Sequence, residues 1–150
     1  ASPALAAAEA LHAPADLARH TLLEEDDHRP SAEYLGWRHW LKLHAKPTLE
    51  PRRWVFLNFT YQQVQAALAG HGVALARVAL VFEALQRGEL VEPFGAAGRT
   101  DSPYLYWLVV APASRARPEV MQFCEWVLGH ARVTREAIGE VEAVVPTRPA

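Results

Sequence analysis

The hydrophobic positions of this 150-residue chain change period several times, and these changes divide it into short helices and strands. Between Asn58 and Phe94 the pattern predicts a helix, a short strand, a second helix and a further short strand. The first helix begins at Thr60, which has the capping-box spacing to Gln63, and it ends at Gly70, where a left-handed residue is favoured. This alternation of strands and helices predicts an α/β layer architecture.

The rest of the chain continues the alternation. Helices are predicted at 3–11, 14–20, 31–44, 78–87 and 118–131, and strands at 21–23, 54–57, 73–75, 90–94 and 104–111. The segment 104–111 consists of eight apolar or aromatic residues in succession, which is typical of a strand buried on both faces. The tail from Arg132 to Ala150 has only weak periodicity, with a partly helical stretch predicted near its start.

An aromatic stripe marks the helix predicted at 31–44. Its members recur at helical spacing and are Tyr34, Trp37, Trp40, Leu41 and His44. Such a stripe either stacks on a ligand or packs into the core. The spacing favours the core, because large aromatic side chains at helical spacing usually face inward.

Composition narrows the function classes. Fifteen Lys and Arg against seventeen Asp and Glu give a net charge of −2, so the chain lacks the broad basic surface that non-specific DNA binding uses. No apolar run approaches the ~18 residues of a membrane span, and the apolar start at Ala1 has no basic region typical of a signal peptide. The single cysteine, Cys124, can form no intrachain disulfide, which fits a reducing, cytoplasmic environment. Its position on an apolar helix face predicts a buried, inert thiol.

The sequence contains few patterns that are typical of catalysis or metal binding. The acidic run from Glu24 to His28 suits either a divalent cation or a solvated loop, and the lack of an EF-hand spacing favours the loop. A hydrolase or transferase that uses Asp26 and Asp27 with His28 has only composition in its favour. His71, between two glycines, is predicted to be an exposed turn residue rather than a base. We therefore predict no catalytic residue, no metal site and no cofactor.

The turn Asn58-Phe59-Thr60-Tyr61 is the best candidate for a binding site. It follows a predicted strand and precedes a helix N-terminus, and ligands of open α/β sheets collect at the carboxyl ends of strands. A helix N-terminus also favours an anion. Asn58 and Thr60 can both donate and accept hydrogen bonds. The same two residues also suit simple helix capping, and both roles stay open because a cap oxygen uses few of its hydrogen-bond positions.

Two stretches of the chain resemble a known family. The run ALAGHGVALARVALVFEALQRGELVEPF, residues 67–94, and the earlier segment Ser2 to Leu23 resemble the C-terminal effector-binding domain of LysR-type transcriptional regulators. The resemblance is greatest to the branch that contains the glycine-cleavage activator and the β-lactamase regulator. It extends over roughly Ser2 to Ala131 as a series of segments in order, although no single motif in it is decisive.

The resemblance implies a fold and a division of the chain. It implies a lobe like those of type 2 periplasmic binding proteins, with a mixed sheet flanked by helices. Residues 1–103 would form effector-binding subdomain II, residues 104–131 a crossover strand and a helix belonging to subdomain I, and residues 132–150 a C-terminal tail. A winged helix-turn-helix and the first part of subdomain I are expected outside this sequence, and only that DNA-binding part would contact DNA.

The resemblance also implies a role without catalysis. Asn58, Phe59 and Thr60, with Tyr61 as a neighbour, would contact a small anionic or amino-acid-like effector. Effector binding would bias a dimer or tetramer interface, and no membrane partner is expected. Two alternatives stay open, namely a solute-binding lobe for transport and a free-standing module for ligand binding or interaction.

The helix predicted at 118–131 has a wide apolar face whose members are Val120, Phe123, Val127 and Leu128. Exposure of four such side chains forfeits ~8 kcal/mol at ~2 kcal/mol each, which is comparable to the stability of a whole domain. We therefore expect this face to pack against another copy of the chain or to fold back on residues 1–103.

Overall fold

The computed structural model describes residues 1–8, 10–25, 32–45 and 47–140. The helices in these residues are α1 (Pro3–Ala8), α2 (Ala32–Leu35), α3 (Trp37–His44), α4 (Thr60–Leu68), α5 (Val78–Gln86) and α6 (Pro118–Ile138), and the strands are β1 (Thr21–Glu25), β2 (Arg53–Leu57) and β3 (Val73–Ala74). Short 3₁₀ segments occur at Pro14–Arg19, Gly95–Gly98 and Pro112–Ser114. The chain divides into two compact units, Ala1–Leu105 and Tyr106–Ala150.

The first unit is built on a three-stranded sheet in the order β2-β1-β3. Both pairs of strands are parallel, and Leu22 of β1 lies opposite Trp54 of β2 and Val73 of β3. Parallel strands need crossover connections, which the chain makes through α2 and α3 between β1 and β2, and through α4 between β2 and β3. The predicted α/β architecture is therefore confirmed, with a small parallel sheet.

Two apolar clusters cover the opposite faces of this sheet. Leu22 belongs to one cluster and Leu23 to the other, because successive residues of a strand point to opposite faces. The first cluster consists of Leu11, Leu17, Leu22, Trp37, Trp40, Leu41 and Val73. The second consists of Leu23, Ala67, Val81 and Leu90. The strand β1 is thus the centre of the core.

The aromatic stripe lies mainly in the first cluster. Trp37, Trp40 and Leu41 are buried, as predicted, whereas Tyr34 at the edge is 44% exposed. The two buried indoles keep hydrogen-bond partners, since Trp37 Nε1 donates to the Leu23 carbonyl at 2.9 Å and Trp40 Nε1 to that of Gly98 at 2.7 Å. The prediction of a core role is confirmed for the three buried members of the stripe.

The helix predicted at 31–44 is interrupted. It consists of α2 and α3, and extended backbone at Gly36 separates them, with φ −92° and ψ 162°. The backbone N–H of Trp37 begins α3 and donates to Glu24 Oε2 at 2.9 Å. A strand residue thus supplies the acceptor that a continuous helix would have found in its own preceding turn.

The prediction of a strand at 90–94 is wrong. This segment is an irregular loop in which Leu90 is buried in the second cluster and the Val91 N–H donates to the Ala1 carbonyl at 2.8 Å. Pro93 has no N–H to extend such pairing, and a turn at Phe94 follows directly.

The prediction of a buried strand at 104–111 is also wrong. The segment lies in no strand, and Leu105, Trp107 and Val109 are 54%, 65% and 84% exposed. An extended apolar segment becomes a buried strand only when neighbouring strands supply hydrogen-bond partners and a surface to cover. Among residues 1–8, 10–25, 32–45 and 47–140, no strand pairs with this segment.

The second unit contains α6, which is longer than the predicted helix and continues through Arg132 to Ile138. Cys124 is buried, as predicted. Phe123, Trp126 and Leu128 are more than half exposed, at 58%, 59% and 54%. The packing partner expected for this apolar face therefore stays a prediction. Within the described ranges, no helix is both long and apolar enough to cross a membrane.

Candidate functional site

The candidate turn lies at the carboxyl end of β2. Leu57 is the last residue of that strand, and Thr60 is the first residue of α4. Because β1 and β2 are parallel and Glu25 is paired with Leu57, the end of β1 reaches the same edge of the sheet. The turn therefore stands where ligands of open α/β sheets commonly bind.

The local capping differs from the prediction. Phe59, not Thr60, is the N-cap residue, and it makes no side-chain cap hydrogen bond. The Thr60 hydroxyl donates instead to Glu25 Oε2 at 2.7 Å. Gln63 does not reach back to the cap, because its buried amide donates to the Leu23 carbonyl at 2.7 Å. The predicted capping box is thus wrong, while the left-handed Gly70 at the helix end is confirmed by its φ of +75°.

The first turn of α4 begins with backbone N–H groups that have no acceptor within the helix. The Phe59 carbonyl accepts from the backbone N–H of Gln62 at 3.0 Å and of Gln63 at 3.2 Å. The backbone N–H groups of Thr60 and Tyr61 precede those bonded groups, and a phenylalanine N-cap has no oxygen to offer them. Together with the helix dipole, they favour a negatively charged group such as a carboxylate.

The side chains of the turn are accessible. Phe59 is 65% exposed and Tyr61 72% exposed, Asn58 is exposed, and Thr60 is half-buried. The turn therefore combines two aromatic surfaces, an amide and a hydroxyl with the backbone N–H groups of a helix start. All four predicted residues lie together on this turn, and their role in effector binding stays a prediction.

Sequence reasoning missed Glu25 as part of this turn. It assigned Glu24 and Glu25 to a solvated loop, but both are residues of β1, because the strand continues two residues beyond the prediction. The pairing register of β1 and β2 is the signal that could have placed Glu25 here. If β1 is extended to match the length of β2, Glu25 lies opposite Leu57, next to the turn. Asp26, Asp27 and His28, which carried the cation-site and enzyme alternatives, lie outside the described residues.

Glu24, which precedes Glu25 in β1, does not belong to the turn. It accepts the Trp37 backbone N–H at the start of α3. Burial raises the pKa of Glu24, and that hydrogen bond opposes the shift in part. Glu24 therefore bonds to the start of α3, whereas Glu25 bonds to the start of α4.

Other candidate residues lie apart from the turn. His71 is exposed in the turn that follows α4, as predicted. Among the residues that the structure describes, no group of three or more His, Cys, Asp or Glu side chains could hold a metal ion. An open, mainly apolar depression of about 630 Å³ is lined in part by Ser2, Leu68 and Glu89.

Comparison with known proteins adds an independent observation. The family description "LysR substrate binding domain" matches residues 1–132. No solved structure matches this chain.

Three curated relatives show the level of similarity. The HTH-type transcriptional activator AmpR of Enterobacter cloacae is 28% identical over 122 residues, which cover 81% of this chain and 39% of that protein. AmpR of Pseudomonas aeruginosa is 31% identical over 124 residues, with 82% and 39% covered. The glycine cleavage system transcriptional activator of Escherichia coli is 27% identical over 126 residues, with 84% and 39% covered. The chain therefore spans about 39% of the length of these relatives.

Proposed function

We propose that this chain, which belongs to the LysR substrate-binding domain family, is the effector-sensing region of a LysR-type transcription regulator. The observation that carries the proposal is the family match, which extends over residues 1–132. The relatives are named transcriptional activators, which supports regulation over catalysis or transport. On this proposal the chain catalyses no reaction and needs no cofactor.

The effector binds, on this proposal, at the turn Asn58–Tyr61. Support comes from the position of the turn at the carboxyl ends of β1 and β2 and from the N–H groups at the start of α4. The effector class is a small anionic or amino-acid-like molecule. Such a molecule suits backbone donors beside an amide and an aromatic surface.

The assembly forms the second part of the proposal. Residues 1–103 act as subdomain II, residues 104–131 supply a crossover segment and a helix to subdomain I, and residues 132–150 form a tail. The exposed apolar side chains of residues 104–109 and of α6 support this assignment, because they suit burial against further protein. A dimer or tetramer of the full-length regulator would act in the cytoplasm and contact DNA through a winged helix-turn-helix.

The effector site is tested by substitution of Asn58. A thermal-shift screen of small carboxylates and amino acids against the chain should yield a ligand that raises Tm. Asn58→Ala should weaken its affinity about ten-fold, because a hydrogen bond to a charged ligand group is worth ~1.5 kcal/mol. Affinity is measured by calorimetric titration.

Gln65→Ala is the matched control, since Gln65 is an exposed amide on the same helix but away from the turn. It should leave the affinity unchanged. If Asn58→Ala left both affinity and the transcriptional response of the full-length protein intact, the assignment of the turn would fail.

A further inference from the structure

The loop of residues 92–100, here named the latch, comes shortly before the end of the first unit and is tightly closed on itself. At its neck, Arg99 Nε and Nη2 donate to the two carboxylate oxygens of Glu92, each at 2.8 Å. Inside the loop, Gly98 lies so close to Phe94 that a Cβ added to Gly98 would be 2.8 Å from the Phe94 Cβ. The latch therefore has a compact closed form.

Helix α3 fastens the closed latch to the core through Trp40. This side chain is 3% exposed, and it stacks on Phe94 with the ring centroids 5.5 Å apart. Its Nε1–H donates to the Gly98 carbonyl at 2.7 Å. His44, one turn further along α3, also stacks on Trp40, and its Nε2 lies 2.9 Å from Thr100 Oγ1. The contacts of α3 thus extend over most of the latch, and Trp40 makes the largest share of them.

The chain beyond the latch is held much more weakly. Residues 101–103 are exposed, and Tyr104 is 45% exposed although its ring makes an edge contact with Tyr34 at 6.3 Å between centroids. The first unit ends at the next residue, Leu105. The latch is therefore the last firmly packed part of the first unit before the chain continues into the second.

We propose that the latch opens as a unit without unfolding of the core, and that Trp40 of α3 sets how often it opens. While the latch is closed, it keeps the segment 101–105 against the first unit, and when it opens, this segment is released. Loops whose buried contacts are few open locally at a lower free energy than the core. This device goes beyond the proposed function and does not depend on where an effector binds.

Cleavage by trypsin after Arg99 measures the open state. A protease cleaves where the chain can be drawn out into an extended form, and the closed latch prevents this at the bond between Arg99 and Thr100. Arg115 in the second unit is the comparison within the same digest, since both arginines are exposed. We expect initial rates, followed by mass spectrometry on the 150-residue chain, to be at least ~10-fold lower after Arg99 than after Arg115.

Trp40→Phe separates the hydrogen bond of the latch from its stacking. The variant keeps an aromatic ring against Phe94 but loses the donor to the Gly98 carbonyl. Opening should then be about ten-fold more frequent, so cleavage after Arg99 should be about ten-fold faster. Cleavage after Arg115 should not change, because that bond lies in the other unit.

Two further variants test the role of the closed form. Trp54→Phe is the matched control, because it removes an indole of β2 that donates to Glu50 at 3.3 Å and not to the latch. It should leave cleavage after Arg99 unchanged. Gly98→Ala opens the latch from within, since its methyl would lie 2.8 Å from the Phe94 Cβ, and it should accelerate cleavage after Arg99 at least as much as Trp40→Phe does.

Cleavage after Arg53, the first residue of β2, distinguishes local opening from unfolding of the first unit. If Trp40→Phe accelerated cleavage after Arg53 and Arg99 by the same factor, the substitution would have destabilised the whole unit and local opening would be overturned. An unchanged rate after Arg99 in Trp40→Phe would show that Trp40 does not set the opening. Cleavage of the unsubstituted chain as fast after Arg99 as after Arg115 would show that the latch is not closed in solution.

Release of the segment is tested by chymotrypsin cleavage after Tyr104. Because the closed latch keeps residues 101–105 against the first unit, this cleavage should accelerate in Trp40→Phe by the same factor as cleavage after Arg99. Equal rates after Tyr104 in the variant and the unsubstituted chain would show that the latch does not control the segment, and the proposal would be overturned. None of these outcomes requires an effector, so failure of the effector site would leave them unaffected.

Discussion

At the scale of single residues, two adjacent carboxylates at the end of β1 serve different helices. The pleat of the strand directs successive side chains to opposite faces. Glu24 accordingly accepts the first N–H of α3, and Glu25 accepts the hydroxyl of the first residue of α4. One strand end therefore anchors the start of both flanking helices.

Glu24 should make the stability of the chain depend on pH. Burial raises its pKa, so its contribution to the free energy of unfolding is fully present below the pKa of a glutamate in the unfolded chain, ~4.3, and is lost as pH rises through the folded value. Glu24→Gln should therefore raise the free energy of unfolding at neutral pH, and this gain should disappear below pH ~4. Urea unfolding followed by tryptophan fluorescence at a series of pH values measures the effect.

Glu92→Gln provides a control of opposite sign. Hydrogen bonds from Arg99 lower the pKa of Glu92, with Nε and Oε1 2.8 Å apart. This contribution is present above the unfolded pKa and is lost as pH falls through the folded one. Glu92→Gln should thus lower stability at neutral pH and have little effect in acid. Shifts of the same sign in both variants would contradict the account of Glu24.

At the scale of elements, the close approach of chain segments decides where strands can pair. Gly72 is buried directly before β3, and a Cβ added to it would lie 2.6 Å from the Thr21 carbonyl oxygen of the backbone. That distance leaves no room for a methyl group unless β1 and β3 separate. A glycine is therefore required for β3 to reach the central strand.

Gly72→Ala should lower the free energy of unfolding by ~3 kcal/mol, since overpacking against backbone is not relieved by a change of rotamer. Gly88→Ala is the comparison, because its added methyl meets no atom within 4 Å and the φ of +69° is the only strain. That variant should cost ~1 kcal/mol. Equal losses in chemical denaturation would show that the approach of β3 to β1 is not the limiting contact.

At the scale of the whole molecule, large apolar side chains stay exposed in the second unit. Phe123, Trp126 and Leu128 on α6 are each more than half exposed. Stable monomers seldom leave such a face uncovered. The expectation that it packs against a second copy or against other parts of the protein therefore has a physical basis.

Self-association through α6 is directly measurable. If a second copy covers the face, sedimentation velocity should show a dimer whose Kd rises at least ten-fold in Phe123→Ser/Leu128→Ser, because each lost contact costs ~1–2 kcal/mol. Leu80→Ser, which removes a leucine that is 53% exposed on α5, should leave the Kd unchanged. Association between copies would be contradicted if sedimentation showed a monomer at all concentrations and scattering showed α6 exposed to solvent.

Local sequence signals predicted much of the first unit. The three strands, α4, α5 and the burial of Trp37, Trp40 and Leu41 follow from period and composition. Position along the chain also indicated the candidate turn, because a turn between a strand and a helix is a local feature. The neighbour Glu25 could not be predicted in this way, since it reaches Thr60 only through the register of β1 and β2.

The sequence by itself determined the α/β alternation, the apolar faces and the resemblance to LysR-type sensor domains, because these depend on the order and spacing of residue types. Tertiary structure alone decided that Thr60 bonds to Glu25 rather than capping α4, and that Gln63 faces the core. It also decided that the apolar segment 104–110 stays outside the sheet. The physical reason is that strand pairing and buried hydrogen bonds need partners distant in sequence, and no local pattern specifies whether a partner is within reach.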